Sequence, residues 1–133
     1  MVENRPRILF LEDEEDWIDV LTSYLPDDYE IEAVKSLSEA TECLNARAFD
    51  LAIVDISLIS GRYEDEKGFH FIQELLSTEV LRDMSIIIVT AYPTMERARK
   101  AFRDYRVFDF IDKGTLEPAE FQRTVAEAIA KSY

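Results

Sequence analysis

Two hydrophobic periodicities alternate along this chain, and their alternation limits the fold more than any other feature. Short runs rich in β-branched and aromatic residues are separated by segments in which apolar residues recur at helical spacing. The runs predict strands at Arg7–Leu11, Tyr29–Val34, Leu51–Val54, Ser85–Val89 and Val107–Ile111. Helices between successive strands require right-handed crossovers and parallel pairing. We therefore predict an α/β fold, an open sandwich in which helices cover both faces of a parallel sheet.

The intervening segments predict five helices, each with one apolar stripe. The stripes are Trp17, Val20, Leu21, Tyr24 and Leu25; Ala40, Leu44 and Ala48; Phe69, Ile72, Leu75 and Leu76; Met95, Ala98, Phe102 and Tyr105; and Phe121, Val125, Ala128 and Ile129. Pro26 is expected to end the first helix, because proline cannot continue it. Ser38 is the expected N-cap of the second helix.

Length and charge limit the classes of protein to which the chain can belong. With 133 residues and no linker-like or low-complexity tract, we expect residues 1–133 to form a single domain. The net charge of −13 argues against direct binding to nucleic acid or to an anionic membrane. No apolar run is long enough to cross a membrane, and the first residues lack a signal-peptide core. We therefore expect a cytoplasmic protein.

Reactive side chains follow four of the five predicted strands. Glu12 and Asp13 follow the first strand, Asp55 the third, Thr90 the fourth and Lys113 the fifth. In open parallel sheets, ligands bind beyond the carboxyl ends of the strands. Each residue alone has a simpler interpretation as a helix cap or a solvated side chain, but three close carboxylates repel one another and need a counter-charge. Mg²⁺ is the expected cation, and one carboxylate can act as a nucleophile toward phosphorus.

Four segments carry a resemblance to a known family. In this order, ILFLEDEEDW, LAIVDISL, IIIVTAY and FDFIDKG resemble the receiver domain of two-component response regulators, over essentially the whole chain. The resemblance implies a flavodoxin-like receiver fold with five strands in the order 2-1-3-4-5. It also implies that Asp55 is the phosphoacceptor and that Lys113 contacts the phosphoryl group. Thr90 then matches the switch hydroxyl, and Phe110 matches the aromatic switch residue.

The same resemblance implies Mg²⁺ as the cofactor. Its expected ligands are Asp13, Asp55, the backbone carbonyl of Ser57, and Glu12 through a water molecule. Ser57 and Tyr92 stand at positions that modulate dephosphorylation in the family. A bulky Tyr92 ring near the phosphoryl group would obstruct an attacking water, which predicts slow self-dephosphorylation. The alternative is that the Tyr92 ring points to solvent or to the switch surface.

Three features depart from the family pattern. Glu12 stands where Asp is more usual, and Gly114 follows Lys113 where the family usually has a proline with a cis bond. A cis bond before a residue other than proline costs about 2.5–4 kcal/mol, so a trans bond is expected here. The segment 56–67 is longer than usual and acidic. It is either a solvated insertion or a loop that recognises a partner.

The function predicted first is that of a phosphoacceptor signalling domain. It takes a phosphoryl group from a histidine kinase or phosphotransfer protein onto Asp55 and then changes a surface formed by the fourth helix, fifth strand and fifth helix. A downstream target or output domain, or a second phosphorylated copy, is the expected reader of that surface. Such a domain catalyses only its own phosphorylation and slow dephosphorylation, so it is not an enzyme in the usual sense. The alternative is a pseudo-receiver, an interaction module that works without phosphorylation.

Two enzyme classes of similar fold require other residues after the first strand. An aspartate-dependent phosphatase should have two aspartates one residue apart after the first strand, where this chain has Asp13 and Glu15. A flavin carrier should have a phosphate-binding loop of Gly, Ser and Thr at the same place, and this loop is missing from the sequence. Neither class fits the sequence.

Overall fold

The computed structural model describes residues 5–56, 69–70, 72–74 and 84–132. Five strands form one sheet in the order β2-β1-β3-β4-β5, and every neighbouring pair is parallel. The strands are β1 (Arg7–Leu11), β2 (Glu30–Val34), β3 (Leu51–Asp55), β4 (Ser85–Thr90) and β5 (Asp109–Asp112). The predicted fold class and strand order are therefore confirmed.

Helices follow the strands, and side-chain caps fix where two of them begin. The helices are α1 (Glu15–Ser23), α2 (Leu37–Ala46), α3 (helical residues 69–70 and 72–74), α4 (Met95–Asp104) and α5 (Pro118–Ser132), with a short 3-10 helix at Lys113–Thr115. The Thr94 hydroxyl accepts the Arg97 amide at 3.1 Å and caps α4. Ser36, rather than the predicted Ser38, caps α2 by accepting the Glu39 amide at 3.2 Å. Ser36 has the extended backbone that a cap requires, whereas Ser38 lies within the first helical turn.

The core consists of two hydrophobic layers, one on each face of the sheet. Because side chains alternate along a strand, Leu9 and Leu11 of β1 face one layer while Ile8 and Phe10 face the other. Helices α2, α3 and α4 contribute to the first layer, and α1 and α5 contribute to the second. The central strands are apolar runs because both of their faces are buried. None of the helices in the described ranges is long and apolar enough to span a membrane.

The predicted apolar stripe of α4 is only partly confirmed, because Ala98 and Tyr105 are half-buried but Met95 and Phe102 are exposed. Met95 is 80% exposed and Phe102 is 46% exposed, whereas Ala101 is the buried residue of this helix. Helix α4 packs through the small Ala101 and the half-buried Tyr105, so its larger apolar side chains face outward. A smaller error concerns Ala48, which lies beyond the end of α2 and is exposed.

Strand β5 begins later than predicted. The amide of Val107 donates to the carbonyl of Ala101 in α4 at 3.3 Å, so the chain is still closing the helix at this point. Arg106, just before it, has φ 53°, a left-handed conformation that makes the turn into β5. The Lys113–Gly114 bond is trans, as predicted, since the described residues contain no cis peptide bond. Ser57, Leu75, Leu76 and most of the 56–67 loop lie outside the described residues.

Candidate functional site

Four buried polar side chains meet at the carboxyl edge of the sheet. Glu12 immediately follows β1, Asp55 ends β3, Thr90 ends β4 and Lys113 immediately follows β5. All four are buried, and for the three charged side chains among them burial is unusual unless they are paired. The structure thus brings together the strand-end residues that the sequence singled out, with Asp13 exposed beside them.

Lys113 links two of the carboxylates. Its Nζ donates to Glu12 Oε1 at 2.7 Å and to Asp55 Oδ2 at 2.9 Å. The lysine side chain is only 4% exposed, so both ion pairs lie in a desolvated environment. The Trp17 ring, in the first turn of α1, lies with its centroid 4.8 Å from the same Nζ. One ammonium group is therefore surrounded by two carboxylates and an indole ring.

Burial and the neighbouring charges together shift the pKa values of Glu12 and Lys113. Burial raises the pKa of Glu12 to about 7, and the nearby Asp55 charge adds to the rise, while the hydrogen bond from Lys113 opposes it. Burial alone would lower the pKa of Lys113, but the hydrogen bond to Glu12 and the charge of Asp55 outweigh burial, so the net shift is upward. Lys113 is therefore charged at neutral pH, and Glu12 titrates near neutrality.

Three carboxylates form an acidic cluster suited to a hard cation. One oxygen each from Glu12, Asp13 and Asp55 lie within 4.8 Å of one another. Oxygen donors of this kind, with one exposed member to admit a hydrated ion, match the preference of Mg²⁺. Both oxygens of Glu12 already have protein partners, because Oε2 accepts the Glu14 amide at 3.2 Å and Oε1 accepts from Lys113. This arrangement fits the expected contact of Glu12 with the ion through water.

The loop after β4 is organised around Thr90. The Thr90 Oγ1 accepts the amide of Tyr92 at 3.1 Å, and the carbonyl of Tyr92 accepts from the Arg97 guanidinium in α4. Tyr92 itself is 64% exposed. The Tyr92 side chain therefore faces solvent and does not cover the buried Asp55.

Phe110 lies on β5, opposite Ile88 of β4, and is half-buried against the layer that contains α4. It also lines a groove of about 310 Å³ between β5 and α5, together with Leu116 and Phe121. Ser57, the expected source of a carbonyl ligand, is outside the described residues.

Two contacts were not foreseen from the sequence. The sequence places Trp17 near the acidic cluster, at the start of the first helix, but it does not predict the contact of the ring with Lys113. The position of Trp17 in the first helical turn after the acidic pair is the one available signal, because that turn lies at the carboxyl edge of the sheet. No sequence signal predicts the contact between Arg97 and the Tyr92 carbonyl.

Comparisons with known proteins agree with this geometry. A model of the response regulator receiver domain matches residues 8–126. The fold is similar to a CheY-like receiver domain protein from Methanospirillum hungatei JF-1, with a TM-score of 0.79 and 21% identity over 96% of this chain and 95% of that chain. The signal receiver domain of an HD domain-containing protein from Pseudomonas fluorescens Pf-5 gives a TM-score of 0.82 and 19% identity, covering 97% and 98%.

NtrX from Brucella abortus has a TM-score of 0.79 and 23% identity, and the match covers 95% of this chain but only 26% of that chain. No curated protein sequence matches the chain. At such identities the solved structures establish the fold, and the family model, which spans most of the sequence, establishes the family. The chain belongs to the response regulator receiver domains, phosphoacceptor signalling domains that bind Mg²⁺ at an acidic pocket.

Proposed function

We propose that Asp55 accepts a phosphoryl group from a histidine kinase or phosphotransfer protein. The observation that carries this proposal is the contact of the buried Lys113 ammonium with Asp55 beside the acidic cluster. A carboxylate oxygen of Asp55 forms a bond to phosphorus while the bond from phosphorus to the donor nitrogen breaks, and the product is an acyl phosphate. Asp13 is exposed and Glu12 is held by two protein donors, so Asp55 is the best placed nucleophile.

Mg²⁺ is the cofactor that fits the cluster. Glu12, Asp13 and Asp55 would hold it, with the backbone carbonyl of Ser57 as a further expected ligand. When bound, the ion supplies positive charge to neutralise the phosphoryl oxygens. The chain's own part is to present oxygen donors at one edge of a rigid sheet, so that little reorganisation is needed.

Lys113 and Thr90 then respond to the new group. Lys113 Nζ lies 2.9 Å from Asp55 Oδ2, so a short movement takes it from the carboxylate to a phosphoryl oxygen attached there. The Thr90 hydroxyl can donate a hydrogen bond to another phosphoryl oxygen while its oxygen still accepts one from the Tyr92 amide. Movement of Thr90 toward the phosphoryl group vacates space that Phe110 can fill, and this repacking alters the neighbouring α4.

The surface read by partners is proposed to lie on α4, β5 and α5. Met95 and Phe102 are exposed on α4, and Tyr92 is exposed in the loop that leads into it. Solvent-exposed apolar side chains next to a switch residue are suited to bind a partner protein. A downstream target, an output domain or a second phosphorylated copy can use this surface. The two hydrophobic layers on one sheet also favour the proposal that residues 1–133 form a single domain.

A pseudo-receiver that works without phosphorylation is less well supported. Such a module has no need for a buried lysine paired with two carboxylates, an arrangement that is costly to desolvate. The five expected site residues are all of competent types and follow or end strands at the same edge of the sheet: Glu12, Asp13, Asp55, Thr90 and Lys113.

Phosphorylation by a small-molecule donor tests the proposal. The protein is incubated with acetyl phosphate and Mg²⁺ and then measured by intact mass. The wild type should gain one phosphate, and Asp55→Asn should gain none. Asp19→Asn is the matched control, since it makes the same chemical change at an exposed position on α1. Equal labelling of wild type and Asp55→Asn would overturn the assignment of the acceptor.

A further inference from the structure

We propose that Trp17 is a positioning residue for Lys113 in the phosphorylation reaction. The proposal depends on Asp55 being the phosphoacceptor, as argued above. The centroid of the Trp17 ring is 4.8 Å from Lys113 Nζ, within the range of a cation–π contact. Trp17 is half-buried against the hydrophobic layer that contains α1 and α5, so packing limits the freedom of its ring.

The contact restricts the lysine in a way that the carboxylates cannot. Glu12 and Asp55 attract the ammonium through directional hydrogen bonds of 2.7 and 2.9 Å. The indole face adds an attraction that depends weakly on direction, and it is strongest for Trp among the aromatic residues and in desolvated sites. Lys113 can therefore move from a carboxylate oxygen to a phosphoryl oxygen while it stays beside the ring.

Removal of the ring should affect the reaction through the lysine. Lysine has a long, flexible side chain whose alternative rotamers lead toward solvent. The Trp17 ring occupies space next to Nζ and helps to keep the ammonium 4% exposed. Without the ring, Lys113 spends less time aligned with Asp55. We expect phosphorylation by acetyl phosphate to slow by about fivefold, as a moderate cation–π contact implies.

Side-chain variants provide the first test. The initial rate of phosphorylation in Mg²⁺ is measured by intact mass for the wild type, Trp17→Leu and Trp17→Phe. Trp17→Leu should be slowed by about fivefold and Trp17→Phe by less, because Phe keeps an aromatic face. Val20→Ala, a change at an exposed apolar residue of the same helix, is the control and should leave the rate within about twofold. In a Lys113→Met background, Trp17→Leu should cause no further slowing.

Fluorination provides a second test that preserves the shape of the side chain. The chain has one tryptophan, so growth on fluorotryptophan changes position 17 alone. Fluorine withdraws electron density from the ring face and weakens the attraction for a cation. The rate should fall further as fluorines are added, and the ¹⁹F signal should shift on phosphorylation of the wild type but not of Lys113→Met. This series stays informative even if Trp17→Leu fails to fold.

The outcomes separate this proposal from the proposed function. If the wild type is phosphorylated and the fluorinated protein reacts at the same rate, Trp17 has no such role and only this proposal fails. If Trp17→Leu slows the reaction equally in the Lys113→Met background, Trp17 does not act through Lys113 and the proposal is also wrong. If the wild type takes up no phosphate, both the proposed function and the role of Trp17 are wrong.

Discussion

Replacement of Lys113 by methionine should destabilise the metal-free protein strongly at pH 8. The substitution keeps a side chain of similar length but removes the positive charge that Glu12 and Asp55 share. Their nearest oxygens lie within 4.8 Å, and two unit charges at that distance repel by about 3 kcal/mol at an effective dielectric constant of about 20. This repulsion agrees with the general cost of losing one partner from a buried ion pair, about 3–5 kcal/mol of folding stability.

The pH dependence of this effect has a definite sign. The pKa of Glu12 is already raised to about 7 in the wild type, and removal of Lys113 takes away a hydrogen bond that lowers it. An acid with a raised folded-state pKa costs stability once it ionises. The cost is complete above the folded-state pKa and disappears below the unfolded-state pKa. The deficit of Lys113→Met should therefore be largest at pH 8 and should shrink at pH 5.5, where Glu12 is protonated.

Thermal unfolding in EDTA measures the effect. A loss of about 3–5 kcal/mol in a domain of this size lowers the melting temperature by about 10 °C or more. Added Mg²⁺ should recover much of the loss at pH 8, because a bound cation restores the counter-charge. Lys35→Met is the control, since it breaks the exposed ion pair with Glu15 and should leave the melting temperature close to that of the wild type. A melting temperature of Lys113→Met within about 3 °C of the wild type at pH 8 would refute the reasoning.

Four further changes have expected outcomes. Asp13→Ala should weaken Mg²⁺ binding by about tenfold or more in a titration followed by Trp17 fluorescence, because it removes the exposed carboxylate of the cluster; wild-type affinity in the variant would place the site elsewhere. Mg²⁺ affinity measured by calorimetry should rise with pH through about 7 as Glu12 loses its proton, and a flat profile between pH 6 and 8 would contradict this. Arg106→Gly should stabilise the protein by up to about 1 kcal/mol in denaturant unfolding, because the strain relieved at φ 53° exceeds the extra backbone entropy of glycine, and a loss of stability would contradict this. Tyr92→Ala should lose its acyl phosphate within about twofold of the wild-type rate, since the ring is 64% exposed, whereas faster loss would support the shielding predicted from sequence.

The sheet was predictable because its central strands have an unusual sequence signature. Strands β3 and β4 are buried on both faces and therefore appear as continuous apolar runs between helical segments. Their boundaries were predicted to within one residue. The edge strand β5 was predicted less well, because the Val107 amide still closes the end of α4 and Arg106 takes the left-handed turn without the glycine that usually marks a helix end. The strand order came from the family resemblance rather than from periodicity.

The error in α4 has a physical reason. A pattern search assigns the largest apolar side chains to the core, and in this helix those include Met95 and Phe102. In the structure the small Ala101 lets the helix approach the sheet, and the larger residues face solvent. The same apolar stripe would appear in the sequence whether it packs against the sheet or against a partner. Sequence alone therefore identifies an amphipathic helix here, but not which face is buried.

The candidate site was predictable as a set of positions but not as a set of contacts. Parallel strands bring their carboxyl ends together, so Asp55, Thr90 and Lys113 were expected at one edge. The direction of each side chain beyond its strand is not set by spacing. Glu12 was expected mainly as a metal ligand, yet its Oε1 contacts Lys113 at 2.7 Å. The indole face of Trp17 beside the same ammonium depends on the rotamer of a helical residue, which the sequence pattern does not give.

The packing of α4 and α5 indicates which helix can respond to phosphorylation. Helix α5 buries Phe121, Val125, Ala128 and Ile129, and its displacement would expose several large side chains at about 1.5–3 kcal/mol each. Helix α4 buries only Ala101 completely, so its displacement costs far less. A new hydrogen bond from Thr90 to a phosphoryl group supplies about 1.5–3 kcal/mol, whereas Lys113 exchanges its bond to Asp55 for a similar one. A full shift from 1:99 to 99:1 needs about 5.5 kcal/mol, so this gain can shift the balance of α4 only in part and cannot displace α5.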